Sequence, residues 1–453
     1  MTQMGRLSEL ANRLGAALSG DDAGYARVVT DSRNIQRGDL FVALRGERFD
    51  AHDFLPQAAD AGAAGALVEK LVDISLPQIQ VENSLIGLQR AARMWRSQFD
   101  YPVIGVTGSN GKTTTKQLLA AVCAARGPVF ATQGNLNNHI GVPLSLLQMR
   151  SSHRTAVIEM GANHAGEIAQ LAQLAQPDIG VVTQAGDAHL EGFGSRDGVA
   201  QAKGELFAAL VEQGTAVINA DDKYAPLWNK LAAGARQVHF GLSPDAEVRA
   251  ADVRCQKSCS HFDLITPQGK APVRLPLPGQ HNVMNALAAA ACGVALEMSP
   301  PQIASGLARA EAAGGRTDWK QTASGAWLID DTYNANPDSL RAGLDLLAAC
   351  SGQRIAVLGD MAELGDDAAA RHAECGRHAA QKADRLMAVG AFANDYRRGF
   401  GAAAEVFDSQ TALVRRLRSE LGPTTTLLVK GSRAAAMEGV VALLMNPPTG
   451  GDC

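Results

Sequence analysis

Between Val103 and Arg126 the chain reads VIGVT, GSNGK and TTTKQLLAAVCAAR: an apolar run enters a glycine-bearing turn and leaves as residues with helical apolar spacing. A strand apolar along its whole length has no face for water, and a following helix that folds back over it supplies the cover. Further β-rich apolar runs follow at TAVIEMG, DIGVVTQAG and TAVINAD. Strands buried on both faces and separated by helices imply a doubly wound, mostly parallel sheet.

The turn itself is GVTGSNGKTTTK, residues 105–116. Against the phosphate-loop pattern G-x-x-x-x-G-K-[ST] it is displaced, because Val106 stands where the first glycine belongs and the glycines fall at 105 and 108. The physical parts are nonetheless present. Gly108 and Gly111 let backbone N–H groups approach an anion, Lys112 supplies charge for the β/γ-phosphates, and Thr113 offers a hydroxyl to Mg²⁺. The competing reading of these residues alone is a bland glycine-rich turn between strand and helix.

With 453 residues the chain is too long for one ordinary core, and at roughly 100–200 residues per domain it should form about three. Hydrophobic residues at 46% and charged residues at 19% describe a water-soluble protein, and a formal net charge of −4 argues against a nucleic-acid partner. The seven scattered cysteines suit a reducing cytosol, and Cys255 and Cys259 form only a lone C-x3-C, short of a metal site. The N-terminal stretch has helical spacing without the apolar core of a secretion signal, and no stretch approaches the roughly 18 apolar residues of a membrane span. A cytoplasmic monomer without a membrane span is expected.

Residues 1–100 alternate short strand-like runs (LFVAL, GALVE, PQIQVE) with polar turns and end in the helical stretch SLIGLQRAARMWRSQF. Tyr101-Pro102 reads as a linker into a unit covering 101–313. Small residues near AEAAGGRTDWK mark a second boundary. From 314 to 453, AWLIDDTY, RIAVLGDM, RLMAVGAF and TLLVKGS repeat the strand-turn rhythm of a Rossmann-like α/β unit.

The displaced loop, TGSNGKTT at 107–114, resembles that of the Mur ligase family, which also includes folylpolyglutamate synthases. The resemblance extends over nearly the whole chain, through NLNNHIGVP, VIEMGANHAGEI, DAHLEGFGS, AKGELF, PGQHNVMNALAAAA, GGRTDW, DDTYNANPDSL, LGDMAELG and KGSRAAAME. It implies three α/β domains: an N-terminal mixed domain for a UDP-sugar, a central P-loop domain for ATP, and a C-terminal Rossmann-like domain that closes over the site with the incoming amine. It implies an ATP-dependent amide-forming ligase, and the best-matching branch adds D-Ala-D-Ala to UDP-MurNAc-tripeptide through an acyl phosphate.

By the same resemblance, Thr107, Gly108, Ser109, Asn110, Gly111, Lys112, Thr113 and Thr114 hold ATP phosphates. Asn282 and Asn285 lie near the adenine, Arg316 reaches the phosphates, and Asp331 holds ribose hydroxyls. Thr113, Glu159, His189 and Lys203, the last as a carbamate, are implied as magnesium ligands, with Lys112, Glu159, His189 and Lys203 as the catalytic set. Ser32, Arg33, Phe41, Gly46, Asn135, Asn137 and Asn138 are implied to contact the UDP-sugar substrate. Read singly, Glu159 is a buried structural carboxylate, His189 a surface histidine, Lys203 a solvated helical charge, Asn282 a helix cap and Arg316 an ion pair. Lys430 and Arg433 would bind a substrate carboxylate or merely solvate a helix start, and His281 and the Asp330–Asp331 pair are candidates for the base.

The alternatives are a ligase adding a third-position diamino acid, against which the string D-N-P-R is absent, and a folylpolyglutamate synthase, which would not carry DSRNIQRGDLFVALRG. A GTPase-type switch would need the strict loop spacing and an N-K-x-D motif, and neither occurs. A non-catalytic binding module would leave Glu159, His189 and Lys203 with no shared purpose.

Overall fold

The computed structural model describes residues 3–46, 49–311 and 314–446. Residues 47–48 of the N-terminal block, residues 312–313 at the expected second boundary, and Cys453 lie outside the described residues.

Three principal sheets occupy successive stretches of chain. The first orders its strands Ala17–Ser19, Gln78–Gln80, Gly65–Val68, Asp39–Val42 and Arg27–Val29, antiparallel at the first pair and parallel thereafter. In the central sheet the glycine-loop strand Val103–Thr107 lies between Ile179–Val182 and Thr155–Glu159. Both neighbours run parallel to it, so the C-terminal ends of all three strands open on one crevice, where open α/β sheets bind ligands. The third sheet orders Asp318–Gln321, Trp327–Asp331, Thr425–Lys430, Gln353–Leu358, Arg385–Val389 and Ala404–Phe407.

The apolar runs do form these strands, and every residue of Val103–Thr107, Thr155–Glu159 and Thr215–Asn219 is buried. The central sheet also extends into an antiparallel edge, Val248–Cys255, Ser260–Thr266 and Gly269–Leu275, which the sequence reading did not separate from its surroundings. These strands alternate buried and open positions, as a half-solvated edge requires.

The first and central sheets share a continuous core, in which Leu88 and Ala92 of the helix Ser84–Arg96 join Val142, Leu146 and Leu171. One charge crosses this apolar boundary. Arg96, only 7% exposed, donates to the carbonyls of Ala175 (2.9 Å), Gln176 (3.0 Å) and Phe99 (2.7 Å). Burial holds its pKa below the ordinary value, so the guanidinium is kept charged against a desolvation cost by those carbonyls. Replacing it by Met would strand two carbonyls of the central domain. Arg96→Met is expected to lower stability by about 2–4 kcal/mol, read as an earlier calorimetric transition, whereas Arg90→Met on the same helix should change little.

Candidate active site

Thr107 ends the loop strand with its hydroxyl donated to Met160 O at 2.9 Å. Gly108 and Gly111 then take φ of +143° and +82°, where a side chain would be strained. A Cβ would also strike Thr183 Oγ1 at the first and Asn285 Oδ1 at the second. Ser109 N donates to Gln184 O (2.9 Å), Gly186 N donates to Ser109 Oγ (2.9 Å), and Thr183 Oγ1 donates to Asn110 O (2.6 Å). The loop is thus clamped to the segment after the neighbouring strand, and the helix Lys112–Cys123 points its N-terminus into the crevice.

That crevice is a cavity of about 1300 Å³ between the central and C-terminal domains. Its walls include Lys112, Thr113, Glu159, His189, Arg316 and Asp331. Lys112 Nζ donates to Gly108 O at 2.6 Å, and burial lowers its pKa, reinforced by Arg316 and opposed by Glu159. Glu159 is 2% exposed. Burial disfavours its ionised form, but Lys116, then Lys112, then a hydrogen bond from Asn137 outweigh it, and the carboxyl titrates below its usual range.

Asn137 Nδ2 donates to Glu159 Oε1 at 2.9 Å, while the buried Oε2 faces only the Lys116 ammonium, 3.2 Å away. A buried carboxylate oxygen without an amide partner, in a cavity that Thr113 and the glycine loop also line, fits a hard cation that prefers oxygen. Among the described residues no three His, Cys, Asp or Glu side chains converge as a ligand set. Glu159 and Thr113 would therefore hold magnesium together with nucleotide oxygens rather than in a protein cage.

His189 stands at the cavity wall with φ of +56°, its Nδ1 against the Glu363 carboxylate of the C-terminal domain. Lys203 does not line the cavity; it lies on the helix Arg196–Ala208, 1% exposed, donating to Ala162 O, a residue that does, at 3.2 Å and lying 5.0 Å from the Phe193 ring centre. Burial, then repulsion from Lys112, lowers its pKa to about 7. It is not the solvated charge that its sequence context suggests.

Asn282, in the first turn of the helix Gln280–Ala295, donates to Pro278 O at 2.8 Å and is not a helix cap, and its Oδ1 accepts from Asn285 Nδ2 at 3.3 Å. Arg316 stacks on Tyr333 at 3.9 Å from the ring centre. Asp331 accepts from Thr317 N (3.2 Å) and Lys430 Nζ (2.5 Å). Lys430 is 2% exposed and also donates to Asn334 O (2.9 Å), so it is the internal counter-ion of Asp331 and not a helix-solvating charge. Arg433 is exposed beside Glu438. His281 lines the cavity, its pKa lowered by burial.

The seven residues assigned to the UDP-sugar divide. Asn135, Asn137 and Asn138 line the cavity, and Asn138 Oδ1 accepts from Gly141 N at 2.8 Å at the start of the next helix. Ser32 and Arg33 sit on a short 3-10 turn of the first domain, Arg33 paired with Asp31 at 2.8 Å, and Gly46 donates to Phe49 O. Phe41 is a correction: both faces of its strand Asp39–Val42 are covered, its ring is fully buried among Leu55, Ala58 and Leu76, and it cannot touch a ligand.

The sequence reading missed the residues that join the domains. Asn336 Nδ2 donates to Asn110 Oδ1 of the glycine loop at 2.8 Å, while its own Oδ1 caps the helix Pro337–Ala348. Asp187 N donates to Asp338 Oδ2 at 2.9 Å, and Arg371 pairs with Asp187 at 3.5 Å. The signal was present in ANPDS, whose Asn-Pro start is a helix cap, but a cap does not disclose what its free amide faces.

Comparisons with known proteins follow the same three stretches. Residues 24–121 match the Mur ligase family catalytic domain, 106–293 the Mur ligase middle domain, and 315–433 the Mur ligase glutamate ligase domain. The chain is 43% identical to a UDP-N-acetylmuramoyl-tripeptide–D-alanyl-D-alanine ligase of Escherichia coli (strain K12), over 98% of this chain and 99% of the other. It is similar to crystal structure I of MurF from Acinetobacter baumannii, with a TM-score of 0.93 and 36% identity over 98% and 99% of the two chains. The MurF ligase from Thermotoga maritima in complex with ADP gives a TM-score of 0.84 at 29% identity, covering 92% of this chain and 97% of that one.

The closeness of the two domains at Gly186 is directly testable. A Cβ there would strike Asp338 Oδ2, a contact made only when the C-terminal domain is docked. Gly186→Ala is expected to enlarge the radius of gyration in solution scattering and to lower turnover, with the circular dichroism of the folded chain retained.

Proposed function

The chain belongs to the Mur ligase family, and from that premise we infer that it is an ATP-dependent ligase joining D-alanyl-D-alanine to UDP-N-acetylmuramoyl-tripeptide. The observation that carries the reading is the glycine loop facing an interdomain cavity, in a chain that matches ligases of this activity over nearly its full length.

A carboxylate resists attack by an amine because its leaving group would be an oxide. We propose that the terminal carboxylate of the tripeptide attacks the γ-phosphorus of ATP, displacing ADP and giving an acyl phosphate. The free amine of D-Ala-D-Ala then attacks the acyl carbon, and the tetrahedral adduct expels inorganic phosphate as the amide forms. Magnesium, when bound, supplies charge neutralisation at the transferring phosphoryl group. Lys112 leaves the Gly108 carbonyl for phosphate oxygens, Arg316 is kept flat for them by Tyr333, and Asp331 is held beside the nucleotide by Lys430. Docking of the C-terminal domain excludes water from the hydrolysable acyl phosphate. In this division, residues 1–100 hold the UDP-sugar, 101–313 the ATP, and 314–453 the amine; the chain acts as a cytoplasmic monomer.

Lys203 has a distinct part. An amine with a pKa near 7 is largely neutral at physiological pH, and a neutral amine nitrogen attacks CO₂, forming an N–C bond and releasing a proton. The carbamate so formed is an anion, suited to a site where an ammonium would repel a dication.

Two measurements test these readings. Phosphate release from ATP with UDP-MurNAc-tripeptide should rise when D-Ala-D-Ala is added; stimulation by a free diamino acid on the dipeptide precursor instead would overturn the substrate assignment. At fixed dissolved CO₂, a ¹³C carbamate signal should grow as pH rises through about 7, because the depressed pKa frees the amine there. It should be absent from Lys203→Ala, which should lose activity; a fully active Lys203→Ala would remove the carbamate.

A further inference from the structure

The helix Lys112–Cys123 carries a second lysine one turn beyond the loop lysine, on the same face. Lys112 folds back on its own loop, at 2.6 Å from Gly108 O. Lys116 does otherwise. It is 5% exposed, its Nζ is 3.2 Å from Glu159 Oε2 and 3.5 Å from Gly134 O. The carboxylate of Glu159 therefore has one oxygen fixed by the Asn137 amide and the other facing a cation at ion-pair distance but out of hydrogen-bond alignment.

That asymmetry is informative. A purely structural buried pair gains its stability from aligned hydrogen bonds that satisfy both partners. Here Oε2 has no amide partner and faces only the Lys116 ammonium at 3.2 Å, so its remaining lone pairs are open to a second cation. Lys116 and a dication cannot share Oε2 without repulsion, and the Gly134 carbonyl offers the amine another acceptor within reach. Gly134 lies in the same loop as Asn135, Asn137 and Asn138, so the amine touches both the metal-facing carboxylate and the asparagine loop that lines the cavity.

Resting on the reading of Glu159 as a magnesium ligand, we propose that Lys116 is a positioning residue that keeps the metal's place. It compensates and aims the Glu159 carboxylate, and on metal binding it yields Oε2 while keeping its hydrogen bond to the Gly134 carbonyl.

The test compares thermal midpoints of the full chain with ADP alone and with ADP plus Mg²⁺, for wild type, Lys116→Met, Lys116→Arg, Glu159→Gln and Lys116→Met/Glu159→Gln. Lys116→Met should lose several degrees without metal, because it strands a buried carboxylate, and should recover most of that loss when Mg²⁺ is added. Lys116→Arg should shift little, and the double variant should regain the metal-free midpoint. An equal deficit with and without Mg²⁺, or no deficit at all, would make Lys116 an ordinary structural residue and overturn the proposal. If Lys116→Met does not fold without metal, its folding in ADP plus Mg²⁺ decides: recovery there supports the proposal and failure there sinks it. Glu159→Gln separates the two readings, since full retention of the Mg²⁺-dependent gain in that variant would reject Glu159 as a ligand. Loss of that gain together with an equal Lys116→Met deficit rejects the role of Lys116 alone.

Discussion

Buried basic groups gathered around a single carboxylate are the constraint around which this molecule is arranged. Lys112 and Lys116 converge on Glu159, Lys112 also feels Arg316, and burial with the Lys112 charge nearby disfavours a charged Lys203. One carboxylate cannot satisfy such a set, and the cost of burying it appears as lowered pKa values at Lys112 and Lys203. The phosphates of a nucleotide would supply the missing negative charge, and strands buried on both faces hold the basic groups in place for it.

The same crevice is only half built by the central domain. Asn336, Asp338 and Glu363 come from beyond residue 314, and their partners Asn110, Asp187 and His189 all stand on loops at the C-terminal ends of central strands. The contact nearest the phosphates, between two asparagine amides, is neutral and geometrically demanding, whereas those farther out are charged. A neutral contact on the glycine loop does not compete for charge with an anion bound there. Asn110 belongs to both the phosphate loop and the domain contact, so movement of that loop is felt directly by the closing domain.

How far the sequence discloses this depends on the kind of signal. The parallel strands of the central and C-terminal sheets were legible because a strand buried on both faces must be written in apolar residues. The antiparallel edge at 248–275 was not, since its alternating strands resemble the polar segments between helices. Glu159, His189 and Arg316 were legible through a family resemblance, and the cavity does gather them. Phe41 misled because position within a matched block says nothing about which side of a covered strand a ring faces. Lys430 was open between binding a substrate carboxylate and solvating a helix start; its burial against Asp331 at the cavity wall removes the second.

Lys116 shows why the remainder stays hidden. A lysine four residues after another on a helix reads as a solvated pair, and in isolation the two would repel. What reverses that reading is a carboxylate 43 residues on, at the end of a strand paired in parallel with the one entering the loop. The register of Glu159 opposite Val106 sets the height at which the carboxylate meets the helix. A one-residue slip would turn Glu159 to the other face of the sheet and leave both lysines unanswered. The site is thus specified less by its own residues than by strand pairing, a property of the whole sheet that no local motif records.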